Sequence, residues 1–104
     1  MVSIESFKKI AQAFPNASQE PHFHLISFRI NKKIFATLDV KLNRACLMLN
    51  IADQDVFCRY DKTIIYPVPN KWGTKGATFM ELKKVPKDLL KDAITQAYKG
   101  KLKK

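Results

Sequence analysis

Glycine is scarce in this 104-residue chain, with three residues, and cysteine and tryptophan are rarer still, with two and one. No Gly-rich phosphate-binding motif and no nucleophile elbow occurs, so neither a nucleotide-dependent enzyme nor a hydrolase is expected. Cys46 and Cys58 lack C-x-x-C spacing and fit two buried thiols in a reducing compartment, although the sequence also allows a disulfide between them. We therefore expect no enzymatic activity and no cofactor.

Long apolar runs are also missing. No lysine-free apolar stretch is long enough to cross a bilayer, and the N-terminal segment lacks the apolar centre of a secretion signal. These absences favour a cytoplasmic protein that does not enter a membrane. His22 and His24 would face the same side of a strand, but no third ligand accompanies them, so no metal site is expected.

Acidic residues are the remaining shortage. Nine Asp and Glu oppose nineteen Lys and Arg, giving a formal net charge of +10. The excess is concentrated from Lys83 onward, where only Asp88 and Asp92 oppose the lysines. Such a balance favours polyanionic partners, with nucleic acid ahead of an anionic membrane surface.

The first half of the chain predicts a helix and a hairpin. Ser3 is a suitable N-cap for a helix that runs to about Phe14, and 16–21 is predicted to be a polar connection. Phe23–Ile30 alternates as a strand, Asn31-Lys32 turns, and Lys33–Val40 returns. Alternation assigns one face of the returning strand to four apolar residues: Ile34, Ala36, Leu38 and Val40.

The second half continues with strands at 45–51, 63–66 and 77–82, while 53–60 is either a short helix capped by Asp53 or a loop. A last helix opens at Pro86, with Gly100 at its C-terminal end. The predicted fold is α+β, with one antiparallel sheet of about five strands and the N- and C-terminal helices packed on one face. We expect a single monomeric domain over residues 1–100 and a basic, disordered tail over 101–104.

The stretch 65–82 holds the only Trp and two of the three Gly. Pro67 and Pro69 interrupt strand pairing, and the glycines at 73 and 76 permit a turn. Lys71 and Lys75 flank Trp72 on this turn. Two interpretations remain open: a basic loop laid on a polyanion, or a tryptophan that plugs the end of the core between solvated lysines.

Three segments carry a family resemblance: R-I-N-K-K-I-F-A-T-L, P-N-K-W-G-T-K-G-A-T-F-M-E-L and V-P-K-D-L-L-K-D-A-I-T-Q-A-Y. In order and spacing they resemble the MmcQ/YjbR-like family over nearly the whole chain. The most telling points are Phe35-Ala36, Trp72 and Ala97-Tyr98. The resemblance implies a compact α+β domain of the YjbR type and DNA binding by a double wing of two β-hairpin edges along the duplex.

Two functions follow as hypotheses. The first is a nucleic-acid-binding domain, with DNA as the expected partner and weak sequence preference. Its contacts are phosphate-binding lysines, two supporting arginines and a tryptophan on sugar or base: Lys32, Lys33, Lys71, Lys75, Arg29, Arg44 and Trp72. The alternative is a protein- or small-ligand-binding adaptor, whose exposed sheet face would be lined by Leu25, Phe35 and Trp72.

Overall fold

The computed structural model describes residues 1–102, in which three helices and six strands form one α+β unit. The helices are α1 (Ile4–Gln12), α2 (Ile51–Cys58) and α3 (Lys87–Leu102). The strands are β1 (Ser18–His22), β2 (Leu25–Ile30), β3 (Lys33–Asp39), β4 (Arg44–Met48), β5 (Ile65–Pro67) and β6 (Ala77–Glu81). They form a single sheet in the order β1-β2-β3-β4-β6-β5, with every neighbouring pair antiparallel. The predicted fold class is therefore confirmed, with one strand and one helix more than expected.

The additional strand is β1, which lies in the stretch predicted to be a polar connection. Its residues are exposed except for the half-buried His22. The sequence of the strand, S-Q-E-P-H, shows no alternation of apolar and polar residues. It pairs with β2 at the edge of the sheet, where Pro21 is tolerated because an edge strand leaves half of its amide groups unpaired. An edge strand of this kind is stabilised by its partner's backbone rather than by a buried face.

Helices α1 and α3 cover one face of the sheet, as predicted. The Ser3 side chain accepts a hydrogen bond from the Ser6 amide at 3.0 Å, which confirms the predicted cap of α1. Phe7 of α1 meets Phe28 of β2 edge to face, with ring centroids 5.6 Å apart. The hydroxyl of Tyr98 in α3 donates to the Pro15 carbonyl at 2.8 Å, which ties the last helix to the end of the first.

A β-bulge changes which side chains of β3 enter the core. Phe28 pairs with Ala36, but Arg29 pairs with Ile34, so β3 has one extra residue, Phe35, at this point. Phe35 is fully buried beneath the helices, against Phe14 and Tyr98. The prediction that Ile34 and Val40 share the core face of Ala36 and Leu38 is wrong: Ile34 lies on the opposite face and Val40 is exposed.

Two further boundaries differ from the prediction. The ambiguous segment 53–60 overlaps helix α2, which begins at Ile51 and is capped by Asn50 rather than Asp53: the Asn50 side chain accepts from the Asp53 amide at 2.7 Å. Helix α3 does not end at Gly100 but continues to Leu102, so Lys101 and Leu102 are helical. The rest of the predicted disordered tail, Lys103 and Lys104, lies outside the described residues.

None of the helices within residues 1–102 is both long and apolar enough to span a membrane.

Candidate nucleic-acid interface

The β2–β3 hairpin places two lysines at its tip. Asn31 and Lys32 both have positive φ, at 53° and 65°, the combination of a two-residue turn whose twist matches that of its strands. Asparagine tolerates this conformation better than most residues, which is why the sequence signalled the turn without a glycine. Lys32 and Lys33 are both exposed at this tip.

The second basic turn connects β5 to β6, and internal hydrogen bonds fix it. The Val68 amide donates to the Ala77 carbonyl, and the Ala77 amide donates to the Trp72 carbonyl. A short 3-10 helix, Gly73–Lys75, lies between these two bonds. From beneath, the buried Gln54 amide nitrogen donates to the carbonyls of Gly73 and Ala77, at 2.9 and 3.1 Å. The turn is therefore fixed both by its own backbone hydrogen bonds and by the Gln54 side chain of α2.

Both glycines of this turn are required by close backbone approach. A Cβ at Gly73 would lie 1.8 Å from the carbonyl oxygen of Val68, and one at Gly76 would lie 1.8 Å from that of Leu49. Gly76 also has a φ of 114°, a backbone conformation that residues with a Cβ atom rarely adopt. The sequence prediction of a glycine-dependent turn is thus confirmed, with steric contact as a second reason.

Trp72 does not plug the core. The side chain is 58% exposed, and the Lys75 ammonium lies 5.6 Å from the ring centroid, within the range of a cation–π interaction. Its backbone amide donates to the Asn70 side chain at 2.8 Å. Of the two interpretations that the sequence left open, the structure supports an aromatic ring displayed between lysines.

The two turns lie at the same end of the sheet. In this antiparallel sheet the β2–β3 turn, the end of β4 and the start of β6 lie at the same end. The middles of the two turns are three strand spacings apart, which at about 4.8 Å each places them roughly 14 Å from each other. We call the group formed by Lys32, Lys33, Lys71 and Lys75 the basic end. Within residues 1–102, no carboxylate lies within 4.0 Å of any of these four ammonium groups.

An apolar groove of about 550 Å³ begins at this end and runs along the face of the sheet that the helices leave open. Its floor includes Leu25, Ile34, Met48 and Phe79, Trp72 lines one side, and Lys101 also contributes to the lining. Leu25 and Trp72 were predicted on such a face, but Phe35 was not correctly placed, because the bulge turns it into the core. Ile34 and Lys101 were missed: the first was assigned to the strand face of Ala36 and Leu38, and the second to a disordered tail.

The two arginines of the predicted site have partners inside the protein. The Arg29 Nε donates to the Ser27 hydroxyl at 3.0 Å and lies 4.0 Å from the Glu20 carboxylate. Arg44 is at the other end of the sheet, where β4 begins, with its guanidinium 3.9 Å above the Phe79 ring. The structure therefore brings the four lysines and Trp72 together and leaves Arg44 apart from them.

Arg44 belongs to a small polar network. Its Nη1 donates to the Tyr66 hydroxyl at 3.4 Å, and that hydroxyl in turn donates to the Glu81 carboxylate. Partial burial, followed by the bond to Glu81, raises the pKa of Tyr66 above its usual value. The Arg44 Nε is buried without a hydrogen-bond partner among the described residues. We call Arg44, Tyr66, Phe79 and Glu81 the Arg44 network.

The histidines and cysteines form no reactive centre in the described part of the chain. His22 and His24 are not on one strand, because the chain turns between them at Phe23, where φ is 59°. Among residues 1–102, no three His, Cys, Asp or Glu side chains are grouped as metal ligands. Cys46 and Cys58 are free thiols, which resolves the alternative of a disulfide. Burial raises the pKa of Cys46 to about 11, so this thiol stays protonated near neutral pH.

Together, the fold and this surface define a small α+β domain with a basic end and an open apolar sheet face. The family model described as YjbR matches residues 12–100, and the chain belongs to the YjbR family. Among solved structures, the chain is similar to the crystal structure of Deinococcus radiodurans protein DR2400, which has a DUF419 domain. That similarity has a TM-score of 0.85 at 18% sequence identity and covers 100% of this chain and 81% of the other, which supports the fold alone. No curated protein matches the chain.

Proposed function

We propose that this YjbR-family domain is a non-enzymatic nucleic-acid-binding protein that holds a phosphate backbone at its basic end. The observation that carries the proposal is the absence, within residues 1–102, of a carboxylate within 4.0 Å of Lys32, Lys33, Lys71 or Lys75, all four of which are exposed. Lysines that have no carboxylate partner keep their charge available for an external anion. The formal net charge of +10 adds a long-range attraction for any polyanion.

The spacing of the two turns suits a nucleic-acid backbone. Their separation of roughly 14 Å is close to the width of the major groove of B-DNA, about 12 Å, so the two lysine pairs can contact phosphates on either side of a groove. Lysine contacts to phosphate position a strand without reading bases, and we therefore expect weak sequence preference. DNA is the nucleic acid that we propose as the partner.

A salt titration tests this proposal. Fluorescence anisotropy with a labelled oligonucleotide should give a Kd of roughly 10⁻⁴–10⁻⁶ M near physiological salt. If all four lysines contact phosphates, log K should fall with log salt at a slope of about −3.6 for duplex DNA, which is −0.9 per contact. A slope near zero would overturn the proposal, since phosphate contacts must release counterions.

The apolar groove supports a second candidate, a protein- or small-ligand-binding adaptor. A volume of about 550 Å³ lies within the usual range of ligand sites. Glu substitutions at the four lysines discriminate between the two functions. They should abolish retention of nucleic acid, whereas a partner bound through the apolar groove would still bind. If nuclease-treated protein captured one partner equally well with and without these substitutions, the adaptor function would replace the first.

A further inference from the structure

Resting on the proposed function, we propose that the open-face groove accepts unpaired bases, so that the site prefers single-stranded nucleic acid to a duplex. Phosphate binding by the four lysines does not require this, because lysines contact the backbone of either form. The additional feature is an apolar surface directly beside them. The inference therefore names which form of nucleic acid the basic end takes.

The groove and the lysines are continuous through the β5–β6 turn. Trp72 lines the groove and stands between Lys71 and Lys75, with the Lys75 ammonium 5.6 Å from its ring centroid. Lys101, from the end of α3, lines the same groove. A nucleic-acid strand whose phosphates contact the lysines would have its bases next to the Trp72 indole ring and the apolar floor of the groove.

The floor of the groove has the chemistry that bases require. Leu25, Ile34 and Met48 are all partly exposed on the sheet face that no helix covers in the described chain, and Phe79 lies beside them beneath the Arg44 guanidinium. Every base has an apolar π face, so stacking on such a surface is tolerant of sequence. In a duplex these faces are hidden in the base stack, and only unpaired bases can turn toward the protein. Apolar contact and charge thus favour the same ligand.

The backbone that carries the aromatic ring is also fixed before a ligand arrives. Trp72 belongs to a turn closed by the Val68 to Ala77 and Ala77 to Trp72 backbone hydrogen bonds and supported by Gln54 from below. A rigid display of an exposed indole loses little conformational freedom on binding, which makes each stacking contact more effective. A mobile loop of the same composition would lack this advantage.

Because Trp72 is the only tryptophan, intrinsic fluorescence reports directly on this site. We would titrate the full chain with a thymidine 20-mer and with a 20-base-pair duplex at two salt concentrations. The expected result is tighter binding of the single strand with strong quenching of Trp72, and little quenching by the duplex. Equal affinity for both forms without quenching by the single strand would overturn this inference while leaving phosphate binding intact. Binding of neither form would overturn the proposed function itself.

Substitutions of Trp72 test whether the groove is the surface that binds single-stranded nucleic acid. Trp72→Ala should weaken single-strand binding by about 5- to 100-fold, the range of losing one base–aromatic stack, and should change duplex binding less than twofold. Trp72→Phe should restore most of the loss. Tyr60→Ala is the matched control, since Tyr60 is similarly exposed, at 53%, and does not line the groove. If Tyr60→Ala weakened single-strand binding as much as Trp72→Ala, the groove would not be the binding surface.

Discussion

The four lysines of the basic end and Arg44 at the other end of the sheet use positive charge in opposite ways. At the basic end, Lys32, Lys33, Lys71 and Lys75 stand on tight turns, and no carboxylate of the described residues lies within 4.0 Å of their ammonium groups. At the other end, Arg44 lies over Phe79 and is linked through Tyr66 to Glu81.

This difference shows why net charge alone does not locate a binding surface. A cation with internal partners is already desolvated and compensated, and moving it toward an external phosphate would break the contacts that it has. The four lysines of the basic end have no carboxylate partner to lose. Exposed lysines without a carboxylate partner also occur elsewhere, such as Lys83 and Lys84, and the basic end differs from them in that two turns bring four such lysines to one end of the sheet beside Trp72.

The largest expected effect comes from breaking the turn that holds the basic end. Gly76→Ala should destabilise the protein by about 3 kcal/mol or more, because the new Cβ would meet the Leu49 carbonyl oxygen at a strained φ. Urea unfolding measures this change. Gly100→Ala is the matched control: nothing lies within 4 Å of its Cβ, so alanine in helix α3 should stabilise by about 0.5–1 kcal/mol. Equal effects of the two substitutions would contradict the steric account of the turn.

The next largest loss of stability is expected when the Gln54 side chain, which supports that turn from below, is replaced. Gln54→Leu should cost about 2 kcal/mol, because it removes two buried hydrogen bonds, to the carbonyls of Gly73 and Ala77, which then keep only their backbone donors. The exposed Gln96 of α3 provides the control, and Gln96→Leu should change the free energy of unfolding by less than about 0.5 kcal/mol. A loss of stability no greater for Gln54→Leu than for Gln96→Leu would show that the turn is held by other contacts.

A single-charge comparison sharpens the contrast between the two ends. Lys71→Met should reduce the magnitude of the salt slope for duplex binding by about 0.9, the value for one phosphate contact. Arg44→Met removes the same charge and keeps an apolar side chain against Phe79, and we expect it to leave that slope unchanged. Anisotropy titrations over the same salt range measure both. A reduced slope for Arg44→Met would assign phosphate binding to the Arg44 network as well.

The smallest effect tests the middle of the open face, where Cys46 lies between the two ends. Folding raises the pKa of this thiol from 9.0 to about 11, so the folded state holds the proton more tightly than the unfolded chain does. Its contribution to stability is complete below about pH 9 and declines as the pH rises toward 11. By pH 10 the loss should be about 1 kcal/mol, and Cys46→Ser should remove this part of the pH dependence. An identical pH dependence in both proteins would contradict the burial of this thiol.

Much of the fold is encoded by local patterns that a reader of the sequence can recognise. The Ser3 cap, the Asn31-Lys32 turn, the alternation from Ala77 and the apolar stripe of α3 each predicted the element that forms. Strand β1 was missed because an exposed edge strand leaves no periodic signal. The bulge at Phe35 was missed because it depends on how β2 and β3 register, which alternation within one strand cannot show.

The site was predictable in part for the same reasons. The Lys32–Lys33 and Lys71–Lys75 turns were found because turn residues mark them, and topology then placed them at one end of the sheet. The exposure of Trp72 was not predictable, since large aromatic side chains are usually buried and only tertiary contacts decide otherwise. The internal partners of Arg44 lie on β5 and β6, distant in sequence, so nothing near Arg44 indicated its structural role.

Charge reversal at each end provides the most direct measurement of the central claim. Lys71→Glu with Lys75→Glu, and Lys83→Glu with Lys84→Glu, change the net charge equally, and all four lysines are exposed. Salt titrations of oligonucleotide binding should show a smaller slope and a large loss of affinity for the first pair. The second pair should retain the slope of the unmodified protein, with only a modest loss of affinity. Equal losses of slope for both pairs would mean that the polyanion responds to overall charge, and that the basic end has no special role.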